Sequence, residues 1–210
     1  MVALLDYEMS NLRSAGKALE RLGARVRVAA RPDETRGADA IVLPGVGRFG
    51  AAMERLAAHG FVDMLRGAAD GGTPVLGICL GLQLLFDESE ESPGVPGLGL
   101  VPGRVERLRT SLKVPHIGWS EVDWREGSVL APAAGGPAER TYYFVHSYAC
   151  VPGDPDDVRG MATHGSAFVA AAGRGSVEGV QFHPEKSSGA GLALLGRWLD
   201  AVRHPPVVPA

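Results

Sequence analysis

One cysteine of this sequence lies in a setting that could make it a nucleophile. Cys79 follows the apolar run Pro74-Val-Leu-Gly-Ile, has a glycine two residues to either side, and precedes a helical pattern. This is the pattern of a nucleophile elbow, a tight strand-to-helix turn whose flanking glycines leave room for a strained backbone. Such a turn places the thiol at a helix N-terminus, whose partial positive charge favours the thiolate. The backbone N–H of Leu80 is then free to help stabilise an oxyanion.

The other cysteine lacks these features. Cys150 lies between Ala149 and Val151 in a strand-like run, and we expect it to fill the core. A lone cysteine at the end of a strand is usually just a small buried apolar residue. The bracketing glycines and the preceding strand favour the nucleophile for Cys79. Two cysteines outside any CxxC pattern predict neither a disulfide framework nor a metal site.

A thiolate nucleophile needs a base that takes up its proton and a third group that orients this base. His183 is the candidate among six histidines, because it directly follows the strand-like run 177–182. If that strand shares the sheet of the strand before Cys79, both side chains emerge at carboxyl ends, where active sites of open α/β sheets gather. Pro184 ends the strand and lets Glu185 fold back toward the imidazole. A His-Pro-Glu sequence alone is more often a solvated turn, so the triad depends on the elbow as well.

The elements that must position these residues alternate along the first half of the chain. Apolar runs predict strands at 2–5, 40–43 and 74–78, and an alternation of charged and apolar residues predicts one at 25–29. Amphipathic stretches predict helices at 11–22, 49–69 and 80–86, with Gly23 ending the first and a break near Gly60 in the second. Units of this length predict an α/β fold with an open, doubly wound, mainly parallel sheet and helices on both faces.

The second half of the chain changes character. Strands are predicted at 104–108, 119–124, 141–151, 168–172 and 177–182, and a last helix at 192–202. Residues 125–140 are expected to form a surface loop. We expect a single domain over residues 1–204 and a frayed tail at 205–210.

Composition excludes several classes of function. The chain has 210 residues, enough to bury a core without a metal or disulfide, and its 21 basic against 24 acidic residues leave a net charge of −3. This near balance gives no electrostatic footprint for nucleic acid or an anionic membrane. No apolar run approaches the ~18–20 residues of a membrane span, and Asp6 comes too early for a signal peptide. No nucleotide-binding fingerprint follows a strand. We expect a cytoplasmic protein without a cofactor.

The motifs around these residues resemble those of a known enzyme family. Cys79 in GICLGLQ, with His183 and Glu185 in GVQFHPEKSS, resembles the class I (triad) glutamine amidotransferases. Five further motifs are similar to one branch of this family, whose glutaminase subunit serves a separate (β/α)₈ cyclase subunit. They are DYEMSNLRS at 6–14, LPGVGRFG at 43–50, CLGLQLLFDESEES at 79–92, PHIGW at 115–119 and YYFVHSY at 142–148. The resemblance runs from the first strand to the last helix.

The resemblance implies a glutaminase. Cys79 would attack the side-chain amide of glutamine, His183 would protonate the leaving ammonia, and Glu185 would orient His183. Water would then hydrolyse the γ-glutamyl thioester. The segment at 44–47 matches the oxyanion strand of the family, so the N–H of Val46 would join that of Leu80 after a peptide flip that the flanking glycines allow. PGVG is also an ordinary strand-ending turn.

The resemblance also implies substrate contacts. Gly47 and Gln83 would contact glutamine, Glu91 would pair with its α-ammonium, and the backbone of Ser147 and Tyr148 would line the pocket. Acidic runs such as the one containing Glu91 are usually solvated, so this role competes with a surface position.

Other residues match the surface that faces the cyclase partner. Trp119 belongs, with Pro115, His116 and Gly118, to a segment near the interface, and Tyr143 and Lys186 match the place where ammonia enters the partner. An exposed aromatic side chain is a plausible interface anchor, although core burial is equally common for such residues. Ammonia would pass from this surface to the partner, and we expect low glutaminase activity without it. The chain departs from the family at Glu8 and Ser10, where glycines are usual, and at Ser120, where an asparagine is common.

Two other hypotheses for the function remain open. The same triad could serve another acceptor, as in the glutaminase component of anthranilate, aminodeoxychorismate or pyridoxal phosphate synthase. Alternatively, a non-catalytic binding subunit or a cysteine hydrolase of the chaperone or peptidase type could share the elbow and a histidine. Such a protein would have no reason to combine Gln83, Glu91 and the HPEKS segment.

Overall fold

The computed structural model describes residues 1–126, 128–133 and 136–204. The strands in this part of the chain are β1 Val2–Leu5, β2 Val26–Ala29, β3 Ala40–Gly45, β4 Val75–Cys79, β5 Glu88–Ser89, β6 Gly103–Arg107, β7 His116–Glu121, β8 Asp123–Trp124, β9 Thr141–His146, β10 Tyr148–Pro152, β11 Val158–His164, β12 Ser166–Arg174 and β13 Val177–Val180. The helices are α1 Leu12–Arg21, α2 Phe49–Ala58, α3 Phe61–Asp70, α4 Leu80–Leu84 and α5 Ser188–Arg203.

The large sheet is parallel where the sequence alternates strands and helices. Its order begins β2-β1-β3-β4-β13, and every neighbouring pair in this part is parallel. Beyond β13 it continues through β12, β10 and β6 in antiparallel pairing and ends with β5, while β11 pairs with β12 and β8. Strands β7 and β9 form a separate antiparallel pair. The predicted α/β fold is confirmed, and its sheet is mixed because the second half adds hairpin-like strands.

Helices cover both faces of the parallel part, as predicted. Successive side chains of a strand point to opposite faces. On β1, Leu4 belongs to the core formed with α1 and α5, which includes Leu19 and Trp198. Its neighbour Leu5 belongs to the other core, formed with α2, α3 and α4. The central strands β1, β3 and β4 are therefore apolar along their whole length and buried at every position.

The break expected near Gly60 in the helix at 49–69 is confirmed, because Gly60 adopts a left-handed conformation with φ of 75° between α2 and α3. The differences from the predicted elements have local causes. The runs at 119–124 and 141–151 each contain the end of one strand and the start of another. β11 was missed because its buried face carries Val158, Gly160 and Ala162, which give little hydrophobic contrast. β5 is only two residues long.

The predicted loop at 125–140 contains the 3₁₀ turn Pro137–Glu139, and residues 127 and 134–135 of it lie outside the described residues. The predicted tail at 205–210 lies entirely outside them. Among the residues that the structure covers, no helix combines the length and apolarity needed to cross a membrane.

Candidate active site

The predicted nucleophile lies at the junction of β4 and α4. Cys79 has φ of 57° and ψ of −111°, a backbone conformation that residues other than glycine rarely adopt. A Cβ on Gly77 would come within 2.7 Å of the backbone of Gly81, and a Cβ on Gly81 would overlap the carbonyl oxygen of Leu43. The two glycines are therefore needed because the turn packs backbone against backbone, as the sequence pattern predicts.

His183 and Glu185 form a buried hydrogen-bonded pair. The Nδ1 atom of His183 lies 2.8 Å from Oε1 of Glu185, and each side chain is only 3% exposed. Burial by itself lowers the pKa of His183, but hydrogen bonds to Cys79 and Glu185, with the negative charges of both, raise it to about 9. The imidazole is therefore charged near neutral pH and lies beside both the Cys79 sulfur and the Glu185 carboxylate.

The parallel sheet brings these residues together. β3, β4 and β13 are adjacent, with Gly45 in register with Cys79 and Val180 in register with Ile78. His183 follows β13 by three residues, and its N–H donates to the carbonyl of Tyr143 at 2.9 Å. The site lies at the carboxyl ends of neighbouring parallel strands, where open α/β sheets place their ligands.

A cleft of about 540 Å³ opens over Cys79 and His183. It is lined by all the residues that sequence reasoning connected with glutamine or the oxyanion, namely Val46, Gly47, Leu80, Gln83, Glu91, Ser147 and Tyr148. Lys186, which we placed at the partner interface, also lines this cleft. A glutamine molecule would thus meet the thiol and these groups in one place.

The amide of Val46 does not face the cleft. Its N–H donates to the carbonyl oxygen of Met9 at 2.9 Å, so the oxyanion strand is attached to the loop after β1. Tyr7 reinforces this attachment, because its hydroxyl donates to the carbonyl oxygen of Pro44 at 2.7 Å. The N–H of Leu80 lies at the start of α4, where the first turn of a helix leaves backbone N–H groups without an intrahelical acceptor.

Two of the candidate substrate contacts, Gln83 and Glu91, form hydrogen bonds within the protein. Nε2 of Gln83 donates to the carbonyl oxygen of Tyr148 at 3.1 Å and to Oε1 of Gln181 at 3.0 Å. Both hydrogens of this amide are therefore used, and Gln83 can present only its oxygen to a ligand. Oε2 of Glu91 accepts from the N–H of Phe49 at 2.7 Å, at the first residue of α2. Glu91 is thus held in place and is not part of a solvated acidic face.

Three cleft residues were missed by the sequence analysis, namely Arg107, Val145 and His146, and Pro115, which we placed near the partner interface, also lines the cleft. Gln181 was also missed; it is fully buried, and its Nε2 lies 3.8 Å from Sγ of Cys79. The signal that could have found it is a polar residue two positions before His183, between the apolar residues Val180 and Phe182.

Trp119 and Tyr143 lie together on the separate sheet. They are in register between β7 and β9, with ring centroids 5.9 Å apart. Trp119 is 53% exposed, and the neighbouring Ile117 is 61% exposed. Core burial of Trp119 is therefore excluded, whereas Tyr143 is half-buried. Neither residue lines the cleft over Cys79.

The family of the chain follows from comparison with known proteins. The model of the family "Glutamine amidotransferase class-I" matches residues 3–199, and the chain belongs to this family. Among solved structures, one described as PurLQS from Thermotoga maritima has a TM-score of 0.74 at 21% identity, covering 96% of this chain and 98% of that one. A structure described as a glutamine amidotransferase has a TM-score of 0.68 at 23% identity, covering 93% and 98%. These two likenesses concern the fold.

Sequence relatives define a narrower family. Three proteins called imidazole glycerol phosphate synthase subunit HisH are similar to this chain. The one from Moorella thermoacetica is 48% identical over 204 residues, covering 97% of this chain and 96% of its own length. Those from Geobacillus thermodenitrificans and Methanothermobacter thermautotrophicus are each 44% identical, covering 96% and 97% of this chain and 96% and 100% of their own lengths. The chain therefore belongs to the HisH family of imidazole glycerol phosphate synthase subunits.

Proposed function

We propose that the chain hydrolyses glutamine to glutamate and ammonia through Cys79, His183 and Glu185. The observation that carries this proposal is the buried His183–Glu185 pair beside a cysteine on a strained elbow, at the floor of one cleft. Family membership supports the reaction class, and the approach of backbone to backbone around Gly77 and Gly81 supports the role of the elbow.

The reaction follows from the charges of the triad. The thiolate of Cys79 attacks the side-chain amide carbon of glutamine, and the N–H of Leu80 stabilises the negative oxygen that forms. The raised pKa of His183 leaves its imidazolium ready to give a proton to the leaving nitrogen, so ammonia departs and a γ-glutamyl thioester remains. His183, now neutral, takes a proton from water as the water attacks the thioester, which releases glutamate and restores the thiolate. Glu185 orients the imidazole through Nδ1.

The substrate contacts are proposed on the geometry of the cleft. Oε1 of Gln83 would accept from an N–H of glutamine, because both hydrogens of its amide are already used. The second oxygen of Glu91 would pair with the α-ammonium, and the backbone at Gly47, Ser147 and Tyr148 would line the remainder of the pocket.

Glutaminase activity is proposed to be low in the isolated chain. The N–H of Val46 donates to Met9, so only one of the two oxyanion donors is available until the Gly45–Val46 peptide turns toward the cleft. Removal of one such donor typically costs about 10²–10³ in rate. A partner that docks beside the oxyanion strand could favour the turned peptide.

The partner proposed is the (β/α)₈ cyclase subunit, in a heterodimer. With ammonia from this chain, that subunit would convert N′-[(5-phosphoribulosyl)formimino]-5-aminoimidazole-4-carboxamide ribonucleotide (PRFAR) to imidazole glycerol phosphate and the aminoimidazole carboxamide ribonucleotide (AICAR) in histidine biosynthesis. Exposed Trp119, with Tyr143 and Lys186, would contact it. We further propose that residues 1–204 act as one glutaminase domain in the cytoplasm, with no cofactor and no nucleic-acid or membrane partner.

Glutamate release by the purified chain tests this function. It is measured alone and then with the cyclase subunit and its nucleotide ligand, with Cys79→Ala as the matched control. Stimulation of several orders of magnitude that disappears in the variant is expected. A folded chain in a confirmed complex that releases no glutamate under either condition would refute the proposal. Preferential pairing with a chorismate-binding partner would instead favour an anthranilate synthase component.

A further inference from the structure

Two buried histidines outside the triad lie on the β7–β9 sheet, and one of them, His146, lines the cleft over Cys79. His116 on β7 and His146 on β9 are opposite each other in register and are 3% and 5% exposed. Nδ1 of His116 lies 3.1 Å from Nε2 of His146, and Nε2 of His116 lies 3.0 Å from Oγ of Ser120. At the other end, Nδ1 of His146 lies 2.8 Å from the carbonyl oxygen of Tyr148.

The same carbonyl oxygen connects this pair to the nucleophile. It also accepts from Nε2 of Gln83 at 3.1 Å, and Nε2 of Gln83 donates in addition to Oε1 of Gln181 at 3.0 Å. Nε2 of Gln181 then lies 3.8 Å from Sγ of Cys79, within the range of a hydrogen bond to sulfur. The hydrogen bonds are therefore continuous from Ser120 to Cys79.

Only one arrangement of hydrogens satisfies this network when both rings are neutral. A carbonyl oxygen only accepts, so Nδ1 of His146 must donate to Tyr148, and its Nε2 must accept. Nδ1 of His116 must then donate to His146, and its Nε2 must accept from the hydroxyl of Ser120. Both imidazoles are thus Nδ1-protonated, which is the less common tautomer of a free histidine side chain.

The surroundings of the two rings favour their neutral forms. The rings of Phe144 and Phe168 pack against both imidazoles, with centroid distances of 4.9–5.7 Å, and His164 stacks on His116 at 4.2 Å. Burial, together with the charge that nearby histidines would carry, lowers the pKa of each of His116 and His146 to about 4.

The direction of the network decides which atoms face the cleft and the thiol. Both partners of Nε2 of Gln83 are acceptors, so the amide of Gln83 cannot turn over without losing two buried hydrogen bonds. Because Oε1 of Gln181 accepts from Gln83, its Nε2 is directed at Cys79, where an N–H favours the thiolate over the thiol.

We propose that His116, His146 and Gln181 are positioning residues of the glutaminase reaction, which fix the Tyr148 carbonyl, the Gln83 amide and the Cys79 sulfur in one arrangement. The proposal rests on the proposed function for its reaction. It requires none of these three residues to touch the glutamine carbon that reacts. Ser120 ends this network.

Imidazole ¹⁵N chemical shifts of the wild-type complex, labelled at histidine, test the network without any turnover. His116 and His146 should each show a protonated Nδ1 and an unprotonated Nε2 at neutral pH. An Nε2-protonated tautomer on His146 would overturn the proposal, because its Nδ1 could not then donate to Tyr148. This readout holds even if the complex releases no glutamate, which would refute the proposed function instead.

Paired variants of His146 test the effect on glutamine. In the complex, His146→Phe keeps an aromatic ring but leaves the Tyr148 carbonyl without this donor, so KM should rise about fivefold to tenfold, as expected for one buried hydrogen bond. His146→Asn places an amide N–H near the position of Nδ1 and should restore most of this loss. His164→Phe, which keeps a ring stacked on His116 outside the network, should leave KM unchanged. Equal impairment in the Phe and Asn variants, or wild-type KM in both, would overturn the proposal.

Gln181 is tested through the reactivity of Cys79. In Gln181→Met the N–H donor is lost, so iodoacetamide should alkylate Cys79 more slowly at neutral pH. Gln181→Glu keeps the shape but places a carboxylate near the sulfur, so alkylation should be slower still. Thermal unfolding is measured for both variants, to compare only folded protein. Alkylation rates equal to that of the wild type in both folded variants would overturn the role of Gln181.

Discussion

The N–H of Val46 donates a 2.9 Å hydrogen bond to the carbonyl oxygen of Met9, which attaches the oxyanion strand to the loop after β1. The preceding residue of that loop, Glu8, has φ of 66° and forms a 2.9 Å ion pair with Arg55 on α2. The backbone of a residue other than glycine is strained in this conformation, and the ion pair offsets part of that strain. The loop is thereby fixed with the Met9 carbonyl directed at Val46.

Loss of this ion pair should raise the basal glutaminase rate. Arg55→Gln removes the charge that fixes Glu8, so the Met9 carbonyl should leave Val46 more often and the oxyanion site should form more often. An exposed pair contributes about 0.2–1 kcal/mol, which corresponds to roughly a 1.5-fold to fivefold increase. Glutamate release by the isolated chain measures it, with the rate of the stimulated complex as reference. An unchanged basal rate would show that Glu8 has no part in restraining Val46.

Gly81→Ala should destabilise the chain strongly. Its Cβ would overlap the Leu43 carbonyl oxygen, so β3 and β4 would have to separate at the elbow, at a cost of about 3 kcal/mol or more. Gly67→Ala is the matched control, because this exposed glycine lies inside α3 and its new Cβ would have no neighbour within 4 Å. It should stabilise the chain by about 0.4–1 kcal/mol. Urea unfolding measures both, and equal stabilities would contradict the steric account.

The parallel half of the fold was predictable because its signals are local. Each of β1, β3 and β4 is a short apolar run followed by a helical pattern, and this combination admits few topologies. The antiparallel half was not, since its strand order depends on non-local pairing. β11 pairs with β12 through two register shifts, and β10 meets β12 at a single residue pair, Cys150 with Val169. Nothing in the sequence near these residues specifies either partner.

The candidate site was also predictable only where its signals are local. The elbow around Cys79 and the turn after His183 are short-range patterns, and both were found from the residues themselves. Val46 shows the limit of such patterns, because the PGVG segment does not indicate which way its peptide points; this is set by Met9, 37 residues earlier in the chain. Gln181 and His146 were missed because their roles depend on partners from other strands.

Glu185→Gln should lower glutaminase turnover and change its pH dependence. The carboxylate helps to raise the pKa of His183, so a neutral amide should lower that pKa and leave less imidazolium to protonate the leaving ammonia. Turnover in the wild-type complex should fall as pH rises through about 9, and in the variant this fall should begin at lower pH. The loss at neutral pH is expected to be about a hundredfold or more. A pH–kcat profile for each complex measures both effects.

The pH–kcat profiles also separate the role of Glu185 in orienting His183 from the effect of its charge on the pKa of His183. Glu185→Asp keeps the charge and shortens the side chain, so its turnover should be low while its decline with pH stays near that of the wild type. If Glu185→Gln lost activity with an unshifted profile, the carboxylate would act on His183 by orientation alone.

A buried carboxyl near the start of β13 should make the stability of the folded chain depend on pH. Burial raises the pKa of Glu178 on β13 to about 7, although Arg159 lies 3.6 Å away and opposes the rise. Since the folded state binds this proton more tightly than the unfolded chain, the contribution of Glu178 to stability is greatest below its unfolded pKa and is lost as pH rises through about 7. Glu178→Gln removes the ionisation, so it should be more stable than the wild type at pH 8 by about 1–3 kcal/mol, with a smaller difference at pH 5. Urea unfolding at the two pH values measures this, and an equal difference at both would show that Glu178 ionises normally in the folded chain.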